Sequence, residues 1–206
     1  VSGWQVAAES NIGVNTYPDL SLYPSNSTPN FVKKINNTLL RRMAELDKKK
    51  LPPIIADGES GFGGIYNVYE LTNQFIDSGV SGIHFEDQLA SEKKCGHVGG
   101  KVVIPTHEYI KKLNSARLSS DVSGVPIIII ARTDAMNAKL MTSDFDDRDS
   151  KYLSKNRTSD GYFLIENNHE MAITKSLNYA DYADVVWCET NTPDLGFAKE
   201  FADEIR

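Results

Sequence analysis

Short, mostly apolar stretches rich in β-branched residues alternate along the chain with longer stretches in which apolar residues recur every three or four positions. The first pattern is typical of parallel strands that are covered on both faces, and the second is typical of amphipathic helices. The predicted strands are residues 51–57, 81–87, 125–133 and 184–190.

Five helices are predicted from the second pattern. The first has Thr28 as its N-cap and Pro29 in its first turn and runs to about Lys49. The second covers residues 67–78 and ends at Gly79, a residue typical of helix C-termini. The others cover residues 106–121, residues 168–179 and the chain from residue 194 onward. Residues 136–167 are polar without a strong period and are interpreted as a long excursion with short helical pieces, of the kind that is usually functional or mobile.

Strands that alternate with helices predict a parallel α/β fold. Every predicted strand ends in charged residues, namely Asp57, Asp87, Glu189 and the run at 132–134. A doubly wound sheet concentrates its chemistry at one switch point, whereas a (β/α)₈ barrel collects it at the carboxyl ends of many strands. We therefore predict a (β/α)₈ TIM-type barrel. Residues 1–4 resemble the end of one further strand, so about five strand ends are present. A complete barrel needs eight, and the predicted barrel is therefore incomplete. Residues 1–206 are expected to be a single partial barrel domain.

Composition narrows the class of protein. Hydrophobic residues make up 40% of the chain and charged residues 24%, which excludes disordered and fibrous classes. The longest apolar run, residues 125–131, is far too short for a membrane span, and no signal peptide is visible. A net charge of −6 disfavours non-specific binding to nucleic acid or acidic membranes. The two cysteines form no disulfide framework and suit a reducing cytosol.

A thiol lies in a basic loop after the second predicted strand. Residues 93–97 read Lys-Lys-Cys-Gly-His, and nearby cations favour the thiolate form of Cys95. The glycines at 99 and 100, followed by Lys101, predict a loop that approaches an anionic ligand. A structural cysteine in a basic surface loop is the competing interpretation.

Carboxylates gather at two predicted strand ends. Asp57 and Glu59 alternate along an extended chain and would therefore point the same way. Two carboxylates in a dry site need a cation, and Mg²⁺ prefers such oxygen ligands; an Asp-Gly turn with no ligand is the alternative.

Acids and a guanidinium occupy the next two strand ends. Glu86 and Asp87 are expected beside Arg132 and Asp134, where Arg132 could hold a carboxylate bidentately or close an ion-pair girdle. His84, His107 and Cys188 are interpreted as bystanders or structural residues.

These residues lie in segments that together resemble the isocitrate lyase family over essentially the whole chain. The most specific segment is residues 86–101, which contains Lys-Lys-Cys-Gly-His. Lys94 favours this family over the related methylisocitrate lyases, which usually have arginine there, and residues 61–64 resemble the bacterial-type branch. The other matching segments are residues 2–5, 17–24, 57–64, 130–134 and 187–190.

The resemblance implies a barrel of the phosphoenolpyruvate mutase/isocitrate lyase type. It implies a lyase that reversibly cleaves isocitrate to succinate and glyoxylate, a reaction of the glyoxylate cycle linked to the tricarboxylic acid cycle. The implied cofactor is Mg²⁺, with Mn²⁺ as a substitute. The implied enzyme is a cytoplasmic homotetramer with a small-molecule substrate and no nucleic-acid or membrane partner.

The resemblance also implies roles for individual residues. Asp57 resembles the direct metal ligand, and Asp19, Glu59 and Glu86 resemble ligands that act through water. Cys95 matches the catalytic cysteine, which exchanges a proton with carbon, and His97 is placed with it in the catalytic set. The general base does not follow from the sequence. The implied substrate contacts are Ser2, Gly3, Trp4, Gly96, His97 and Arg132.

The chain departs from the family in ways that leave alternatives open. Ser60 replaces a usual alanine. No part of the chain matches the family's N-terminal segment, its later Asn-x-Ser-Pro-Ser segment or its exchanged C-terminal helices. We therefore expect the chain to be part of a longer protein and to be inactive alone. A 2-methylisocitrate lyase and a non-catalytic truncated paralogue remain as alternatives, and a general Mg²⁺- and phosphate-binding module is the weakest.

Overall fold

A computed structural model describes residues 1–10, 18–46 and 50–206 of the chain. The helices in these ranges are α1 (Gly3–Glu9), α2 (Ser27–Glu45), α3 (Ile65–Ser78), α4 (Thr106–Ser123), α5 (Asp147–Ser150), α6 (Asn168–Ala180) and α7 (Leu195–Ile205). The strands are β1 (Ile55–Asp57), β2 (Gly82–Glu86), β3 (Lys101–Val103), β4 (Ile128–Thr133), β5 (Ala138–Met141), β6 (Leu153–Arg157), β7 (Phe163–Ile165) and β8 (Val185–Cys188). None of the described helices combines the length and apolar character that crossing a membrane requires.

A parallel sheet forms the centre of the molecule, with strand order β1-β2-β4-β8. Helices α3, α4 and α6 lie in the connections between successive strands, as parallel pairing requires. Val1 continues the sheet beyond β1, because its amine donates to the Ile55 carbonyl at 2.7 Å and its own carbonyl accepts from the Asp57 N–H at 2.9 Å. The predicted parallel α/β architecture is confirmed, and each of the four predicted strands contains an observed one.

The predicted helices are also present, with corrections at their ends. Gly79 ends α3 in the left-handed conformation at φ 81°, as predicted. Thr28 is not the N-cap of α2, because the helix already begins at Ser27 and Asn26 occupies the cap position. The predicted end of that helix at Lys49 lies outside the described residues, and α2 is described to Glu45.

Helix α1 was not predicted, since residues 2–4 were interpreted as a strand end. Ser2 caps it through a reciprocal pair of hydrogen bonds with Gln5. The Ser2 hydroxyl accepts from the Gln5 N–H at 3.3 Å, and the Gln5 side chain accepts from the Ser2 N–H at 2.9 Å. The Ser-x-x-Gln spacing carried this signal, because it is the pattern of a capping box.

Residues 136–167 contain the short helix α5, in line with the short helical pieces expected there, but their strands were not predicted. This segment supplies β5, β6 and β7, which join β3 in a second sheet of order β3-β5-β7-β6. Its core contains Met141, Phe163 and Met171, so the sheet packs against α6. The strands have three to five residues each, which is too short for a clear alternation to appear in the sequence.

The larger apolar core lies between the parallel sheet and helices α3 and α4, and Leu113 of α4 is completely buried in it. Replacing Leu113 by alanine is expected to lower the free energy of unfolding by about 2–5 kcal/mol, because a cavity remains. Urea unfolding of the full-length protein measures the change. Leu118→Ala is the matched control on the same helix, and because Leu118 is 55% exposed we expect a change within about 0.5 kcal/mol. Equal losses for the two variants would contradict this assignment of the core.

Candidate functional site

A cavity of about 160 Å³ opens at the carboxyl ends of the parallel strands. Its lining contains nine of the predicted site residues, namely Ser2, Trp4, Asp19, Asp57, Glu86, Cys95, Gly96, His97 and Arg132. The other two lie directly behind it, because the backbone N–H groups of Gly3 and Glu59 each donate to the Asp57 carboxylate at 2.9 Å. The structure therefore brings all the predicted site residues together.

The register of the parallel strands explains this convergence. Asp57 pairs with His84 across β1 and β2, while Glu86 pairs with Arg132 and Arg132 with Trp187 on the following strands. Alternate residues of a strand face the same side, so His84 and Glu86 both point into the cavity. The cavity is thus lined by residues of four neighbouring strands.

Three carboxylates form a compact cluster on one side of the cavity. Oxygens of Asp19, Asp57 and Glu59 lie within 4.8 Å of one another, and all three residues are buried. The predicted convergence of Asp57 and Glu59 is confirmed, but the extended-chain reason for it was wrong. Glu59 has φ 55°, so a left-handed turn brings its side chain back beside Asp57.

Lys93 lies among these carboxylates rather than beside the thiol. Its ammonium donates to Asp19 Oδ2 at 2.7 Å, contacts Glu59 and lies 3.9 Å from Glu86 Oε1. The Lys94 ammonium donates to the Glu92 carbonyl at 3.2 Å. The prediction that both lysines tune Cys95 is therefore wrong, because both ammonium groups have other partners.

The balance of charge around the cavity fits a further cation. Four buried carboxylates, on Asp19, Asp57, Glu59 and Glu86, face the cations Lys93 and Arg132. Burial raises the pKa of Glu86 to about 8 despite the opposing charges of Arg132 and Lys93. Burial and then the charge of Asp57 raise the pKa of Glu59 well above its usual value. Bringing a divalent cation to these hard oxygen donors would favour their ionised forms, so the residues fit such an ion.

The Cys95 thiol also lines the cavity and is only 3% exposed. The Trp4 indole N–H donates to its Sγ at 2.7 Å, and His97 Nδ1 lies 4.0 Å from the same sulfur. The polar neighbours of the sulfur are therefore an indole and an imidazole.

Arg132 lines the cavity and is held in place by several partners. Its Nε and Nη2 donate to Asp134 at 3.0 and 3.2 Å, and its guanidinium lies 5.0 Å from the centre of the Trp187 ring. Its Nη2 is also 3.4 Å from Glu86 Oε2. The predicted grouping of Arg132, Asp134 and Glu86 is confirmed. Asp87 does not belong to it, because its carboxylate accepts instead from Thr133, Tyr179 and the Asp134 N–H behind the sheet.

Sequence reasoning missed several residues of the cavity. His84 was interpreted as a bystander, but it lines the cavity with Nε2 3.6 Å from Asp57 Oδ1. Its spacing of two residues from Glu86 was the available signal, since both then face one side of the strand. Trp187 and Glu189 also line the cavity. Outside the cavity, His107 lies 3.3 Å from Asp146, and Cys188 packs against the second core.

Gly3 has no room for a side chain, because a Cβ there would overlap carboxylate oxygens of Asp19 and Glu59. Gly3→Ala is therefore expected to displace these carboxylates and to weaken the binding of a divalent cation to them about 10–100-fold, the size of effect seen when groups that orient metal ligands are disturbed. Isothermal titration of the full-length protein with Mg²⁺ measures it. Gly64→Ala, where a Cβ meets nothing within 4 Å, should leave the affinity unchanged, and equal affinities for both variants would refute this role of Gly3.

A parallel sheet with a polar cavity at its carboxyl-terminal edge, lined by buried carboxylates, a thiol and a guanidinium, is typical of (β/α)₈-barrel enzymes. Solved structures agree with this class. The chain matches 2,3-dimethylmalate lyase, a PEP mutase/isocitrate lyase superfamily member, with a TM-score of 0.70 and 25% identity over 98% of this chain and 53% of that one. It matches oxaloacetate acetylhydrolase in complex with 3,3-difluorooxalacetate with a TM-score of 0.65 and 28% identity over 91% of this chain and 50% of that one. The fold is the barrel of this superfamily, incomplete in the described residues.

Sequence comparison identifies the family within that class. The profile of the isocitrate lyase family matches residues 1–156 and 151–206. The chain is 53% identical to isocitrate lyase of Corynebacterium efficiens in an alignment of 213 positions that covers 100% of the chain and 49% of that protein. It is 51% identical to isocitrate lyase 1 of Mycobacterium tuberculosis and to isocitrate lyase of Escherichia coli, covering 50% of each. The chain belongs to the isocitrate lyase family, and it spans about half the length of the curated relatives it matches.

Proposed function

We propose that the full-length protein is an isocitrate lyase, which cleaves isocitrate reversibly to succinate and glyoxylate. The observation that carries the proposal is the arrangement of one cavity: the Cys95 thiol lines it together with Asp57 of the acidic cluster and the Arg132 guanidinium. These groups are the proton donor, the cation site and the carboxylate anchor that such a cleavage needs. Membership of the family supports the same conclusion.

The cofactor in this proposal is Mg²⁺, with Mn²⁺ as a substitute. Asp57 would hold the ion directly, and Asp19, Glu59 and Glu86 would hold it through water, an arrangement supported by the buried acidic cluster. The bound ion would polarise the substrate's hydroxyl oxygen and neighbouring carboxylate as a Lewis acid.

The substrate contacts follow from the residues that line the cavity. Arg132 is held rigid by Asp134, so its guanidinium can bind a substrate carboxylate without losing much conformational freedom. Ser2, Gly3 and Trp4 would contact the glyoxylate half, and Gly96 and His97 would provide further contacts to the substrate. Their support is that four of these five line the cavity and Gly3 donates to Asp57 behind it.

Cys95 would act as the proton donor, with His97 beside it in the catalytic set. Cleavage begins when a base removes the proton of the substrate's hydroxyl, whose electrons form the carbonyl of glyoxylate. The carbon–carbon bond then breaks, and its electron pair passes to the succinate half. The Cys95 thiol gives its proton to that carbon. The hydrogen bond that Trp4 donates to the sulfur supports this role, because it holds the thiol in the cavity at a defined position.

Three further features complete the proposal. Residues 1–206 would form one partial barrel catalytic domain of the full-length protein, and the working enzyme would be a homotetramer; resemblance to the family supports both. A cytoplasmic location is supported by the two free cysteines, Cys95 and Cys188, which suit a reducing compartment.

Substrate preference is the direct test of the proposal. With the full-length protein and Mg²⁺, we expect kcat/KM for isocitrate to exceed that for 2-methylisocitrate by about 10–200-fold, the discrimination that one methyl group allows. A preference for the methylated substrate would make the protein a methylisocitrate lyase. No turnover of either substrate by folded protein would contradict an enzymatic role.

A further inference from the structure

Lys101 is a completely buried lysine just outside the cavity. It begins strand β3, and its ammonium is directed at the protein. It donates to the carbonyl of Gly96 at 2.8 Å and to Asp134 Oδ1 at 2.6 Å. Lys101 therefore joins the loop that carries Cys95 to the end of strand β4.

Asp134 is the centre of this connection. The carboxylate that accepts from Lys101 also accepts two hydrogen bonds from Arg132, at 3.0 and 3.2 Å. Burial raises the pKa of Asp134, but Arg132 and Lys101 outweigh burial and hold the pKa below its usual range. The carboxylate is thus ionised and bridges two cations, one that holds the loop and one that lines the cavity.

The loop and the guanidinium also touch directly. A Cβ on Gly96 would lie 2.7 Å from Arg132 Nη2 and would overlap Glu189 Oε1. Two independent constraints therefore act on the peptide next to Cys95: the hydrogen bond from Lys101 and the close approach to Arg132. The position of the thiol relative to the guanidinium depends on both.

We propose that Lys101 and Asp134 are positioning residues that lock the Cys95 loop and the Arg132 guanidinium into one arrangement. Neither residue lines the cavity, so both act through Gly96 and Arg132. The kinetic consequence rests on the proposed function, whereas the locking of the loop does not.

Lys175 shows what a purely structural lysine would look like in the same protein. It is equally buried, and its ammonium donates to the Ile104 carbonyl at 2.9 Å and to the hydroxyls of Thr106 and Tyr179. None of these partners lines the cavity. Removing either ammonium leaves buried acceptors unpaired and costs stability, but only the loss at Lys101 releases the loop.

The experiment compares Lys101→Met with Lys175→Met in the full-length protein. The first measurement is the rate at which iodoacetamide alkylates Cys95 in the absence of substrate. Peptide mass spectrometry follows the modification at this residue. Cys95 is 3% exposed, so releasing its loop should raise the rate by about tenfold in Lys101→Met, the effect of losing one charged hydrogen bond. Lys175→Met should stay within about twofold of wild type. In steady-state assays, Lys101→Met should lower kcat about 10–100-fold, because small displacements of a reacting group are costly.

An unchanged alkylation rate in folded Lys101→Met would overturn the proposal, as would equal increases in both variants. If Lys101→Met does not fold, Asp134→Asn decides, because it keeps the shape of the side chain while removing its charge. Faster alkylation in that variant supports the lock, and an unchanged rate overturns it. If alkylation responds as expected but wild type does not cleave isocitrate, the lock stands and the proposed function fails.

Discussion

Replacing Cys95 by serine is expected to lower kcat for isocitrate cleavage by about 10²–10⁴-fold, the usual contribution of a positioned proton donor. Serine is nearly isosteric and can still accept the hydrogen bond from Trp4, so the loop should keep its conformation. Its hydroxyl is a far weaker acid than a thiol and donates a proton to carbon poorly. KM should therefore stay within about threefold of wild type, because binding is largely unaffected.

Cys188→Ser is the matched control for this variant. Cys188 pairs with Thr133 in the sheet register and packs against the second core, away from the cavity lining. Steady-state kinetics of both variants in the full-length protein provide the comparison. A Cys95→Ser enzyme that keeps more than about a tenth of wild-type kcat would show that another group delivers the proton.

Asp57→Asn is expected to be the most damaging change in the acidic cluster. Asp57 is the only carboxylate of the cluster that ends a strand of the parallel sheet, and two backbone N–H groups fix it in place. Burial raises its pKa, but His84, Lys93 and Arg132 together lower it below the usual value, so it is present as the anion. The neutral amide should weaken Mg²⁺ binding by about 100-fold and lower kcat/KM by about 10²–10⁴-fold, since a metal ion supplies several kcal/mol of charge stabilisation.

The control for Asp57→Asn is the same substitution at the other end of the sheet. Asp184 precedes β8 and accepts from Arg117 and from the Ile129 N–H, far from the cavity lining. Asp184→Asn should leave Mg²⁺ affinity and kcat/KM within about twofold of wild type, because residues at the amino ends of barrel strands serve stability rather than the reaction. Isothermal titration with Mg²⁺ reads the metal site without depending on turnover. Equal Mg²⁺ affinity in wild type and Asp57→Asn would place the ion elsewhere.

The parallel sheet was predictable because its strands carry strong local signals. The four isoleucines of residues 127–130 indicate a strand that is buried on both faces. The charged residues that follow each strand indicate which edge of the sheet carries the functional groups. Once four parallel strands share an edge, their terminal residues must meet. The convergence of Asp57, Glu86 and Arg132 therefore followed from topology alone.

The parts that could not be predicted depend on contacts between distant segments. The basic run at 93–97 gives no indication that Lys93 reaches Asp19, 74 positions away along the chain. Likewise, the Trp4 indole meets Cys95 across 91 positions. The neighbouring positions in the sequence suggested that lysines contact the thiol. In the folded chain the Trp4 indole contacts it instead, and Lys93 contacts the carboxylates.

The most direct test of the account is glyoxylate release from isocitrate by the full-length protein, measured with Mg²⁺, after chelation with EDTA and after Mg²⁺ is restored. We expect turnover with Mg²⁺, its loss after chelation and its return when the ion is added back. Folded protein that releases no glyoxylate in the presence of Mg²⁺, or that releases it at the same rate after chelation, would contradict the proposed metal-dependent cleavage.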